Sequence, residues 1–127
     1  MIVWGGSGPS ARLATGGVYD PGADAWSSTS LLGAPAARER HAALWNGSEM
    51  IVWSGEIGVD AYFGILSRAV GTGGRYDPAA DRWTETAFTG APIPVLSALP
   101  PPAAWTGDEM LVWAGGVADG VGGRYTP

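Results

Sequence analysis

No cysteine occurs in the 127 residues, which removes a disulfide framework, a thiolate metal site and a cysteine nucleophile together. Lysine is absent as well: all seven basic residues are Arg, at positions 12, 38, 40, 68, 75, 82 and 124, and the formal net charge is −5. Scattered cations on an acidic chain make no basic stripe to neutralise a phosphate backbone, so nucleic acid is not an expected partner. Histidine is reduced to His41, too little for an imidazole metal centre, and no metal or other cofactor is expected. No run of about 18 apolar residues is present, so no membrane span is expected. The opening Met1-Ile2-Val3-Trp4-Gly5-Gly6 lacks the basic head, long apolar stretch and cleavage site of a signal peptide.

What the chain does have is glycine, proline and tryptophan. Twenty-one Gly and ten Pro break helices and make turns, and seven Trp beside them point to an all-β chain built of short strands. Internal repetition is explicit. Met1-Ile2-Val3-Trp4-Gly5-Gly6 returns as Met50-Ile51-Val52-Trp53-Ser54-Gly55 and as Met110-Leu111-Val112-Trp113-Ala114-Gly115. The later two copies are led by Trp45-Asn46-Gly47-Ser48-Glu49 and Trp105-Thr106-Gly107-Asp108-Glu109. A second block, Gly16-Gly17-Val18-Tyr19-Asp20-Pro21 followed by Asp24 and Trp26, returns as Gly73-Gly74-Arg75-Tyr76-Asp77-Pro78 followed by Asp81 and Trp83. Its third copy is Gly122-Gly123-Arg124-Tyr125-Thr126-Pro127.

The tryptophans of the first block lie 49 and 60 residues apart, and the tyrosines of the second 57 and 49, a period near 50 residues. In these landmarks the chain resembles the kelch-repeat β-propeller family, including the bacterial kelch-like proteins and the central domain of galactose oxidase. The resemblance implies blades of four antiparallel strands, A innermost to D outermost, around a channel. Strand A is expected near His41–Trp45 with a turn at Asn46-Gly47, strand B at Glu49–Trp53, strand C around Tyr76, and strand D from Arg82-Trp83. The chain then divides into strands B to D of one blade (1–30), all four of a second (41–88) and A to C of a third (102–127). About two and a half blades do not close a ring. The chain is therefore expected to begin and end inside a longer polypeptide, or to obtain further blades from other copies. The recurring Trp, paired Gly and Asp-Pro-x-x-Asp turns are read as structural: aromatics between blades, glycines where backbones crowd, and turn chemistry in preference to calcium.

Subtracting the repeat leaves the connections. The resemblance implies that the B–C and D–A connections share one face and that this face commonly holds the partner site. The second B–C connection, seventeen residues between Gly55 and Gly73, carries Glu56, Asp60, Tyr62, Phe63 and Arg68, and Tyr and Arg are common anchors of partners. Folding back over its own blade is the alternative. The first D–A connection carries Arg38-Glu39-Arg40-His41, similar to a kelch pattern in which Arg precedes a strand-A His by three residues; a lone His is also an ordinary structural residue. The second, Thr84 to Leu99, is apolar, with Phe88, Ile93, Val95 and Leu96. These features lead to the expectation of a non-catalytic module that recognises a protein or glycan through Arg38, Arg40, His41, Glu56, Asp60, Tyr62, Phe63 and Arg68. The competing expectations are a fragment of a kelch-fold enzyme resembling galactose oxidases or sialic acid mutarotases, and a self-assembling propeller fragment. Copper oxidase chemistry of that kind needs several His and a Cys, which this chain lacks. The resemblance to bacterial kelch proteins further implies export.

Overall fold

The structure, a computed structural model, describes residues 1–61, 64–87, 91–92, 96, 99–114 and 121–127, with the backbone alone at 59–61, 64–65, 114 and 121. The described residues form twelve strands and no helix: β1 (Ile2–Trp4), β2 (Gly16–Asp20), β3 (Ala25–Ser28), β4 (Ala42–Trp45), β5 (Met50–Trp53), β6 (Glu56–Ala61), β7 (Gly64–Ala69), β8 (Gly73–Asp77), β9 (Arg82–Glu85), β10 (Ala103–Trp105), β11 (Met110–Ala114) and β12 (Val121–Tyr125). They pair into four antiparallel sheets, β1-β2-β3, β4-β5-β8-β9, β10-β11-β12 and the hairpin β6-β7.

The repeated sequence produces a repeated register. Trp4 lies opposite Gly16, Trp53 opposite Gly73, and Trp113 opposite Gly122. Met50 lies opposite Tyr76 and Met110 opposite Tyr125. A large indole across from a residue without a side chain lets the ring lie over the neighbouring backbone. The turns repeat too. Asp81 takes a left-handed φ of 45° and Asp24 one of 48°, an excursion that Asp tolerates. Each Asp then accepts a hydrogen bond from the tyrosine five residues earlier: Tyr76 Oη to Asp81 Oδ1 at 2.6 Å, and Tyr19 Oη to Asp24 Oδ1 at 2.8 Å. The Asn46-Gly47 turn is wider than a two-residue hairpin. Only Gly47 has positive φ, while Asn46 Oδ1 accepts from the backbone of Ser48 and Glu49, an Asx turn.

Because side chains alternate along a strand, β5 serves two cores. Met50 and Val52 join Tyr76 and Trp83 against Trp4, Ile2 and Val18 of the first sheet. Ile51 and Trp53 face the other way, against Met110, Val112 and Tyr125 of the third. Trp4, Trp53 and Trp83 are buried, but Trp26, Trp45 and Trp113 are about half exposed, so the expectation that every tryptophan packs between sheets holds for only part of the set. Among the described residues, the sheets that carry Trp26 and Trp113 have a neighbour on one side alone. Polar bonds stitch the first interface: Trp83 Nε1 donates to the Ser30 carbonyl at 2.9 Å, and Ser30 N to Asp81 Oδ1 at 2.7 Å.

The segment between Gly55 and Gly73 is not an irregular loop. Residues 56–61 and 64–69 form a regular ladder from Glu56↔Ala69 to Ala61↔Gly64.

Candidate functional site

The residues Arg38-Glu39-Arg40-His41 thread between two glycines. A side chain at Gly5 would meet His41 Cε1 at 2.9 Å and the Arg38 carbonyl at 3.0 Å, and one at Gly55 would meet the Glu39 carbonyl at 2.6 Å. Both glycines have positive φ, 70° and 94°, so conformation and close approach require Gly at each. The segment is then held by its backbone on both sides. Gly6 N donates to the Arg38 carbonyl and Arg38 N to the Leu13 carbonyl, while Glu39 and Glu56 exchange N–H···O bonds of 3.1 and 2.8 Å.

This threading gathers charges from three connections. Arg12, between β1 and β2, lies 3.0 Å from Glu39 Oε1 and 3.8 Å from Glu56 Oε2. Arg40 reaches the same Glu56 oxygen at 2.8 Å and Glu39 Oε1 at 4.0 Å. Two guanidinium groups and two carboxylates thus alternate, and Arg12 also donates to Ser67 Oγ of β7 at 2.5 Å. Glu56 is buried and the Arg40 side chain is 42% exposed, so the network runs from the interior to solvent. Beside it opens a cleft of about 470 Å³ whose walls include Ser7, Ser10, Arg12, Glu39 and Ile57. Arg12 Nε has no hydrogen-bond partner.

Arg38 and His41 do different work. Arg38 is only 2% exposed. It donates through Nε to the Ala36 carbonyl, through Nη1 to the carbonyls of Ser54 and Thr72, and through Nη2 to Thr72 Oγ1. Desolvation lowers its pKa to about 10, still charged at neutral pH. A guanidinium committed to main-chain acceptors acts as a clamp on the ends of β5 and β8. His41 packs edge-on against Trp4, ring centroids 5.5 Å apart, and its buried Nδ1 has no hydrogen-bond partner.

Burial first, and then the nearby Arg38 charge, hold the His41 imidazole below its ordinary 6.5, outweighing the opposing influence of the Trp4 backbone. The unfolded chain therefore takes up a proton before the folded one. Stability present above pH 6.5 should be lost as pH falls through the folded pKa. As the sole imidazole, His41 gives a clean test: the urea midpoint should decline below pH 6.5, and His41→Gln should flatten that decline. An equal slope in both proteins would refute the assignment.

Of the other residues expected at the site, Arg68 is exposed on β7, opposite Ile57. Asp60 is placed by its backbone in β6, opposite Ile65. Tyr62 and Phe63 lie outside the described residues, as do Phe88, Ile93 and Val95. Arg12 completes the network without having been singled out from the sequence, and Glu39, though part of the Arg38–His41 segment, was not among the residues expected to recognise the ligand. Nothing local to Arg12 marks it, since its partners come from distant connections. Among the described residues no group of three or more His, Asp or Glu is placed to hold a metal ion. Comparison with protein-family models gives no match, and comparison with curated proteins gives none either.

Proposed function

We propose that the chain is part of a kelch-type β-propeller, each Trp/Gly-Gly/Tyr sheet being one blade, and that it is a non-catalytic binding module for a protein or glycan. Three sheets with one register, stacked face to face through Met, Val and Trp, support the first part. One observation carries the second: Arg12, Glu39, Arg40 and Glu56 converge from separate connections beside an open cleft. A neutral, alternating charge network with donors and acceptors at its rim suits hydroxyl-rich or mixed-charge ligands, which pair with both signs. Among the described residues the network pairs Arg with Glu and not a hydroxyl with a base, which favours recognition over turnover.

The test is a glycan and peptide array probed with the labelled chain. At least one ligand should bind, and Arg12→Ala with Glu39→Ala should weaken it by about tenfold or more, while Arg68→Ala leaves it unchanged. Binding indifferent to Arg12 and Glu39 would place the site elsewhere. Sugar turnover abolished by Arg40→Ala would replace the binding reading with an enzymatic one.

A further inference from the structure

Each internal interface joins two unlike faces. One face carries the second and fourth residues of the strand motif: Ile2 and Trp4, or Ile51 and Trp53. The other carries the third residue with the Tyr–Trp pair: Val52 with Tyr76 and Trp83, and in the third sheet Met110 and Val112 with Tyr125. Among the described residues the outer sheets each leave one face uncovered, and these two faces are unlike in the same way. On β11, Leu111 and Trp113 stand where Ile51 and Trp53 stand on β5, yet Trp113 is 52% exposed and Trp53 is 3%. On β1 to β3, Val3, Tyr19 and Trp26 stand where Val52, Tyr76 and Trp83 do. Val3 is 48% exposed against 0% for Val52, and Trp26 54% against 5% for Trp83.

The uncovered faces are already shaped for the missing neighbour. Tyr19 and Trp26 hold the same tilted ring contact as Tyr76 and Trp83, centroids 5.2 and 5.1 Å apart. The Leu111–Trp113 face lines a hollow of about 640 Å³ with Ala104, Pro102 and Gly122 among its walls. Its rim pair Glu109–Arg124, 3.8 Å apart, matches Glu49–Arg75 at 3.3 Å, the pair whose charges act on Tyr125 across the second interface. One chain thus displays both halves of an interface that it already makes twice internally.

We propose that a second copy of this chain covers these faces head to tail, the Val3–Tyr19–Trp26 face of one copy seated on the Leu111–Trp113 face of the other. This contact is heterologous, so it either closes or polymerises. Closure with two copies would make a ring of six sheets, four of them three-stranded, a number within the range of known propellers, and rests on the propeller reading above.

Sedimentation equilibrium of the purified chain should return twice the 13.0 kDa of one copy. Trp113→Arg and Val3→Arg alter opposite faces. Because every contact needs one face of each kind, either variant alone should be monomeric, affinity falling by about thirtyfold or more. An equimolar mixture of the two should recover a dimer held by one contact, the intact Val3 face of one variant on the intact Trp113 face of the other, while the two Arg-bearing faces stay apart. That recovery also shows both variants folded; Leu111→Arg, with Trp113 kept, serves as a second probe of the same face. Wild-type chain remaining at 13.0 kDa would overturn the inference while leaving array binding as the separate test of the site. A dimer that one variant leaves intact would overturn it in favour of a two-fold contact between like faces. An open ladder of masses would overturn closure and the radial arrangement with it.

Discussion

Arg38→Met should lower the unfolding free energy by about 3–5 kcal/mol, since hydrogen bonds to a charged donor contribute about 1.5–3 kcal/mol each and several are lost together. Three carbonyls, those of Ala36, Ser54 and Thr72, lose their donor, and each buried acceptor left unpaired costs about 1–3 kcal/mol. Methionine fills much of the volume, so the loss measures the polar clamp more than a cavity. A domain of this size holds about 5–15 kcal/mol in total, and the variant should sit close to its unfolding threshold at room temperature. Urea unfolding followed by tryptophan fluorescence reads the change. Arg68→Met, on an exposed site, should shift the midpoint by less than about 0.5 kcal/mol. Equal effects at the two positions would contradict the clamp.

Gly73→Ala should cost about 2–3 kcal/mol, the scale of overpacking a tight site, through a different cause. Gly73 does not have a positive φ, so its need for glycine is steric. An added methyl would run into the Val52 carbonyl oxygen and crowd Trp53 Cα at 3.0 Å. Both obstacles are backbone inside the central sheet and cannot rotate away. Gly22→Ala, where the methyl meets only the Asp20 carboxylate at 3.3 Å, should change the same urea midpoint little. If Gly73→Ala were as mild as Gly22→Ala, the close approach between β5 and β8 would be in error.

These two residues also mark what the sequence makes visible. Gly73 belongs to a motif that recurs at fixed spacing, and Met50-Ile51-Val52-Trp53, Gly73-Gly74-Arg75-Tyr76 and the Asp turns placed the strands of the central sheet within a residue or two. Period-two alternation and turn residues are local, so they can be read without knowing the neighbours. The β6–β7 hairpin was harder to read. Ile57, Val59 and Ala61 do alternate, but Gly58 and Asp60 are poor strand formers, and Tyr62-Phe63 is not a recognisable hairpin turn. The charge network was half legible: Arg40 and Glu56 stand in connections that the repeat leaves over. Arg12 did not stand out, because its role exists only once Glu39 and Glu56 are brought beside it by two glycines whose φ no local pattern announces. Arg38 was visible as a charge near a strand, whereas its burial depends on where Ser54 and Thr72 end their strands.

The alternation of β5 has a consequence for how the chain finds its pairing. Met50 and Val52 point into one core and Ile51 and Trp53 into the other, so a slip of one residue against β4 or β8 would invert all four at once. Trp53 would be driven towards Trp4 and Trp83, and both cores would be misfilled by the same error. Misalignment of this one strand is therefore penalised twice, and a segment of only four residues fixes the alignment of everything on either side of it.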